Sequence, residues 1–410
     1  MRTEVVALLL AVALYLVYLL VERFLLDKRL GSIPLCIAVT GTRGKTSLVR
    51  VLASILRADG RSALAKTTGS EARYLLPDGN EVEVPRRGVA SIIEQKKLIK
   101  MAADVGADCV VAEIMSIHPE NHRIEAHRLL RPQIVALTNV RRDHTDAMGA
   151  TEDEIASILA LGFTPGATIF VPEKEKRLAF AATTEEMGGE LIEVAEESAR
   201  TVSRRPEGSS TEDPAEQHTN QSRLGPANFA ENLDLAWAIG RHLGINDEVI
   251  ATGVGDAVAD AGAVRVWEYR SEQVTKSCYL VNGFAANDPK STLQVVASVR
   301  EALASCPPRL TGLLALRPDR GDRTWQWIDA LKAGELECFD PLYVTGTHAR
   351  AMKRKYPELR VLEAGRPEQM MAAILADIDE GAVLFGCGNY VGTGQALVEH
   401  WERTGTRHGL

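Results

Sequence analysis

The sequence predicts an α/β protein with an N-terminal membrane helix, a larger domain on a mostly parallel sheet, and a smaller Rossmann-like α/β domain at the C-terminus. Three observations predict it. Val5 to Val21 is an uninterrupted apolar run, and roughly 20 apolar residues span a bilayer. Behind it, short apolar runs alternate with amphipathic stretches, the pattern of a parallel sheet covered by helices on both faces. The alternation stops in a polar stretch and restarts near Tyr279.

The apolar run continues past Glu22 and Arg23 through Phe24, Leu25 and Leu26. A cleaved signal peptide has a shorter apolar core and a small-residue cleavage site. A buried core helix would have to be apolar all round. A retained single-pass anchor over residues 1–30 is therefore the expectation. Arg23, Lys28 and Arg29 follow the run, against Arg2 before it. The positive-inside rule then puts the C-terminal body in the cytoplasm, at the cell membrane.

Leu35 to Val39 reads as a buried strand. Thr46 to Asp59 reads as a helix, with Leu48, Leu52, Ile55 and Leu56 on one face and Gly60 as its stop. Cys109 to Ala112, Ile134 to Leu137 and Thr168 to Val171 are further strands, with helices near Ile92 to Val105 and Thr151 to Leu161. Residues 196–226 are rich in Ser, Glu, Arg, Gln and Thr and read as a polar surface loop. A helix resumes from Asn228 to Leu243, and Leu310 to Leu316, Leu342 to Thr345 and Ala382 to Phe385 are strands of the second domain. The expected domains are 31–270 and 271–410.

Lys and Arg total 47 against 55 Asp and Glu, a net charge of -8. That balance lacks the basic footprint of a nucleic-acid partner. Cys36, Cys109, Cys278, Cys306, Cys338 and Cys387 contain no C-x-x-C pair, so neither a zinc site nor a disulfide framework is indicated.

The strongest local signal is Thr40-Gly41-Thr42-Arg43-Gly44-Lys45-Thr46-Ser47, between a buried strand and a helix. Its glycines permit close backbone approach to phosphate, and loop amides with the helix N-terminus favour negative charge. Lys45 is placed for β and γ phosphates and the Thr46 hydroxyl for magnesium. Only Thr42 and Arg43 separate the two glycines, fewer than in the general phosphate loop. This shortened form resembles the ATP loop of the Mur ligase superfamily, whose members make an acyl phosphate with ATP and then an amide.

The resemblance assigns further roles. Glu113 follows the strand Cys109 to Ala112, at the edge where open α/β sheets bind ligands, and corresponds to a metal-binding Glu. Asn139 to Gly149 reads N-V-R-R-D-H-T-D-A-M-G, similar to the Mur segment whose His binds a second magnesium. That role falls to His144, with Asp143 and Asp146 as its support. Asn232 and Arg265 resemble nucleotide contacts. His118 and His122 have metal-pair spacing, but Pro119 between them favours a surface turn. The carbamylated Lys of many Mur ligases is not assignable, since no Lys lies between Thr151 and Pro172.

A closer resemblance is carried by K-T-T-G-S-E-A-R from Lys66, V-N-G-F-A-A-N-D-P-K-S-T from Val281, R-P-D-R-G-D-R-T from Arg317 and F-G-C-G-N-Y-V-G from Phe385. With the anchor, these are similar to the ligase subunits of poly-γ-glutamate synthase, the PgsB/CapB type. The resemblance implies a Mur-ligase-like ATP-binding domain and activation of a glutamate γ-carboxylate with ATP and Mg2+. It also implies growing poly-γ-glutamate as product, membrane-embedded synthase subunits as partners, and a possible homo-oligomer. Lys45, Glu113, His144 and Arg320 are the catalytic candidates. Asn282, Asn287 and Asp288 are candidate nucleotide contacts, and Lys66, Thr67, Thr68, Arg317 and Arg323 candidate substrate contacts, since guanidinium groups clamp carboxylates. The alternatives are a Mur-type ligase acting on folate or a cell-wall precursor, and a membrane-tethered NTPase switch. The absence of an N-K-x-D run speaks against the switch.

Overall fold

The computed structural model describes residues 2–69, 72–86, 90–142, 145–196, 230–258, 263–270, 277–303, 306–307, 309–318, 321–379 and 381–408. The polar stretch 197–226 lies outside them. The chain forms two compact units, Met1–Ser210 with Glu231–Ala257, and Thr211–Ala230 with Val258–Leu410.

The sheet of the first unit comprises β1 (Leu35–Thr40), β2 (Ala63–Lys66), β3 (Arg73–Leu75), β4 (Glu81–Glu83), β5 (Cys109–Glu113), β6 (Ile134–Leu137), β7 (Thr168–Pro172) and β8 (Glu190–Val194). Their spatial order is β4-β3-β2-β5-β1-β6-β7-β8. Pairing is parallel from β2 to β8, and β3 and β4 add an antiparallel edge. The apolar runs of β1, β5 and β6 are buried along their length, as strands covered on both faces must be. Cys36, Ala38, Val110 and Ala112 share one core with Leu98, Ile99, Leu129 and Leu130. Val135, Leu137, Ile169 and Val171 share another with Ile155, Leu159 and Phe180. The expected helices are Lys45–Ala58, Glu94–Val105, Glu152–Ala160 and Ala230–His242. Thr151 and Glu154 form a capping box at the start of the third, which satisfies its orphan amides.

The helix Arg2–Leu30 leads into β1. Thr3–Leu30 is long and apolar enough to cross a membrane, with mean hydropathy 2.6. Its base is tied to the first unit. Leu26 joins the core under the sheet, Lys96 pairs with Glu22 at 2.8 Å, and Arg131 pairs with Asp27 at 2.5 Å.

The second unit carries β9 (Val266–Arg270), β10 (Ser277–Asn282), β11 (Leu310–Ala315), β12 (Phe339–Thr345), β13 (Arg360–Val361), β14 (Ala382–Gly388) and β15 (Thr406–His408). They lie in the order β13-β12-β11-β14-β10-β9-β15. Residues 266–270 pair with β10, so they belong to the second sheet. Alternation along β11 and β14 feeds two cores. Leu314, Val383, Phe385 and Cys387 pack with Val295, Val299 and Trp327. Leu313 and Leu384 pack with Trp267, Ile374, Leu397 and Trp401. All six cysteines are free thiols.

Candidate active site

The site of the first unit lies at the C-terminal edge of β2, β5 and β1, three adjacent parallel strands. The loop after β1 makes a tight turn that only glycine tolerates at two places. Gly41 has φ 123°, and a Cβ there would meet Thr138 Oγ1 at 2.2 Å. Gly44, at φ 80°, immediately precedes the helix Lys45–Ala58. Three side chains distant in sequence hold the loop. Asn139 accepts from Thr42 Oγ1 (2.7 Å) and the Arg43 amide (3.1 Å), and donates to Arg43 O (3.2 Å). Thr138 Oγ1 donates to Arg43 O (2.6 Å). Asn232 Nδ2 donates to Gly44 O (3.0 Å). Lys45 Nζ donates to Gly41 O (2.7 Å), and Ser47 lies half-buried on the first turn. The result is an anion cradle at a helix N-terminus.

Glu113, buried at the end of β5, is where these strands converge. Its Oε1 accepts from Thr46 Oγ1 (2.7 Å) and from the Thr68 amide (3.0 Å). Its Oε2 accepts from Thr68 Oγ1. The carboxylate therefore joins the phosphate loop to the K-T-T-G segment after β2. The donor set at this edge is one carboxylate and two hydroxyls, hard oxygens suited to a small divalent cation. Among the described residues there is no cluster of three His, Cys, Asp or Glu side chains able to hold a metal.

Behind Glu113 lies a buried polar layer. Gln95 Nε2 donates to Glu113 O (2.9 Å) and to Glu125 Oε1 (2.6 Å). Glu125 also accepts from the amides of Met115 and Ser116. Burial pushes the Glu125 carboxyl up, and these hydrogen bonds only partly oppose it. Lys66 is wholly buried and pairs with Glu94 at 3.0 Å. Burial alone would raise the Glu94 carboxyl, but hydrogen bonds from Arg86 and the charge of Lys66 hold it at about 2. Thr67 is buried beside this pair.

His122 corrects the surface-turn expectation. Pro119 opens a short helix, Pro119–Ile124, because proline suits a first helical position. His122 on it is buried, its ring nitrogens 2.8 Å from Ser116 O and 3.3 Å from Leu159 O. Burial lowers its pKa. His118 is exposed, so the two make no metal pair.

In the second unit, Asn282 Nδ2 donates to Ala263 O (2.9 Å), and the Asn282 amide donates to Arg265 O (2.9 Å). Asp288 caps the helix Pro289–Ala302 by accepting from the Ser291 amide. Asn287 keeps a buried Oδ1 without a hydrogen-bond partner among the described residues. Arg317 is half-buried just past β11, and Arg323 is buried on the helix Gly321–Ala333. Asp143, His144 and Arg320 lie outside the described residues.

The sequence gives no signal for Thr138 or Glu125, and it marks Gln95 and Asn139 only as members of longer segments, Glu94-Gln95-Lys96 and Asn139 to Gly149. Asn139 opens the segment that contains D-H-x-D, two residues past a predicted strand, and that position is the available signal.

Comparison with known proteins agrees with this geometry. Residues 39–235 match the Mur ligase middle domain, and residues 268–404 match the poly-gamma-glutamate synthase CapB C-terminal domain. The PGA synthase CapB of Bacillus subtilis is 28% identical over 402 residues, covering 96% of each chain. The capsule biosynthesis protein CapB of Bacillus anthracis is 27% identical over 386 residues, covering 91% of this chain and 77% of that protein. Two folylpolyglutamate synthases share the fold. The bifunctional Yersinia pestis enzyme has a TM-score of 0.65 at 16% identity, covering 93% of this chain and 92% of that one. The Mycobacterium tuberculosis enzyme has a TM-score of 0.64 at 16% identity, covering 92% of each. A match to the Mur ligase middle domain followed by a match to the CapB C-terminal domain, with similarity to two CapB proteins over nearly the whole chain, makes this chain similar to the CapB-type ligases.

Proposed function

We propose that this chain is the ATP-dependent amide ligase of poly-γ-glutamate synthesis. It activates a glutamate γ-carboxylate as an acyl phosphate and joins it to an amine. The convergence of Thr46 and Thr68 on Glu113 beside the Lys45 loop carries this reading, because it puts a phosphate cradle and hard-oxygen donors at one edge. Lys45, released from Gly41 O, meets the β and γ phosphates, and the loop amides fix their position. Thr46 and Glu113 would hold magnesium, which neutralises charge on the phosphates. Asn232, which supports the loop, and Arg265, Asn282, Asn287 and Asp288 are the proposed nucleotide contacts. Thr67 and Thr68, with Lys66 beneath them, are proposed for the glutamate. Arg317, Arg320 and Arg323 are proposed to clamp carboxylates, with Arg320 polarising the reacting one. His144 is the proposed ligand of a second cation.

The two folylpolyglutamate synthases bear on the folate alternative only through their fold. Localisation at the cell membrane, with the body cytoplasmic and membrane-embedded synthase subunits as partners, completes the proposal.

The test incubates membranes holding the protein and its partners with magnesium-ATP, glutamate and hydroxylamine. An ATP-dependent γ-glutamyl hydroxamate, read by mass spectrometry, is the expected product. ADP without hydroxamate or polymer would favour the tethered NTPase, and glutamate added to a supplied folate would favour the folate ligase.

A further inference from the structure

The first sheet has a second edge, opposite the one that carries Lys45 and Glu113. A cleft of about 620 Å³ opens at the N-terminal ends of β6 and β7, and Arg123, His127, Arg128, Arg131, Gln133 and Thr164 line it. Strands of this length put it roughly 15 Å from the phosphate loop. Its charge is of one sign. Arg123 and Arg128 are exposed and have no carboxylate partner among the described residues. Both act on His127, whose pKa is lowered first by burial and then by their charges. Three guanidinium groups around one cleft, two of them uncompensated, suit a phosphate group.

The cleft is attached to the apolar helix. Arg131 pairs with Asp27 of the helix Arg2–Leu30 at 2.5 Å. Asp27 lies six residues past the apolar run that ends at Val21, about 9 Å along a helix. The polar layer on each side of a bilayer is about 5–8 Å thick. When the helix is inserted, the cleft sits at the level of the lipid headgroups or just beneath them. Leu30 also leads directly to the start of β1 at Leu35, so this edge of the sheet faces the membrane.

We propose that the Arg123–Arg128–Arg131 cleft binds the phosphate of an anionic lipid headgroup in the membrane that holds the helix. This rests on the anchor reading of the N-terminal helix. Basic pockets beside membrane helices recognise anionic headgroups, and a positive charge near the surface strengthens binding about fivefold. The contact gives the body a second attachment beside its single helix. It also holds the opposite edge of the sheet, with its nucleotide loop, toward the aqueous side.

The full-length protein is reconstituted in phosphatidylcholine nanodiscs, with and without phosphatidylglycerol. Hydrogen exchange is then read over residues 119–133. Phosphatidylglycerol is expected to slow exchange there at least fivefold, and the double variant R123E/R128E to remove the effect while retaining the wild-type melting temperature. Equal exchange in both discs overturns the proposal. Equal protection by inorganic phosphate in pure phosphatidylcholine discs assigns the cleft to a free anion and overturns the lipid assignment. Alkaline carbonate extraction of native membranes tests the anchor separately. A chain released by carbonate refutes the anchor and the proposal together, whereas a retained chain that does not respond to phosphatidylglycerol refutes the proposal alone.

Discussion

At the edges of both sheets polar side chains hold loop backbone, but among the described residues only the first edge also brings side chains together on a shared carboxylate. At the edge of the first sheet, side chains contact one another across the strands, with Thr46 and Thr68 converging on Glu113 and Lys45 folded onto its own loop. At the edge of the second, several polar side chains hold backbone. Asn282 holds Ala263 O, Asn389 holds Ala315 O, and Asp288 caps a helix. The same residue types at the same topological place therefore do different work. A pre-assembled constellation can act on charge that develops in a reaction, whereas a cap or latch fixes the course of the chain.

Lys45→Ala breaks the contrast most directly. ADP formation is expected to fall at least 100-fold, the scale seen when one preorganised charge donor is removed, with an unchanged circular-dichroism spectrum. Unimpaired turnover would remove the loop from the chemistry. Glu113→Gln comes next. It keeps the shape but cannot supply a full charge, so activity should drop and the divalent-cation concentration for half-maximal rate should rise. A loss of activity with an unaltered cation requirement would make Glu113 a structural tie between the loop and β2.

Glu94 sharpens the comparison through pH. Its folded carboxyl is held at about 2 against an ordinary 4.5. The stability it contributes is fully present above 4.5 and is lost as pH falls from there through 2. Acid unfolding followed by fluorescence should therefore be less steep in this window for Glu94→Gln, whose neutral amide does not titrate. An identical acid limb would mean that the Lys66–Glu94–Arg86 group is not coupled to folding. The smallest effect is expected at Asp288. Replacing this cap by Ala should cost about 1 kcal/mol, read by denaturant titration, together with a rise in the Michaelis constant for ATP. An unmoved constant would make Asp288 a helix cap alone and remove it from the proposed nucleotide contacts.

Local features were legible from sequence. The phosphate loop needs only a strand, two glycines and a helix, which are contiguous between Leu35 and Ala58. Lys45 and Thr46 could therefore be placed before any tertiary structure. Glu113 could be placed at a strand end because β5 is a continuous apolar run. The three-residue strands β3 and β4 escaped, being too short to express a period. The Pro77-Asp78-Gly79-Asn80 turn between them was the usable sign.

The sequence by itself determined the apolar helix, the α/β alternation, the phosphate loop and the family pattern, because each is written in neighbouring residues or in ordered motifs. Only the tertiary structure decided that Thr46, Thr68 and Glu113 meet, since that depends on β2, β5 and β1 lying side by side. It also decided that Asn139 and Thr138 grip a loop almost a hundred residues earlier, that His122 is buried between two carbonyls, and that three arginines share a cleft beside Asp27. Strand order and helix docking arise from the burial of whole faces, a collective property of the chain that no single segment encodes.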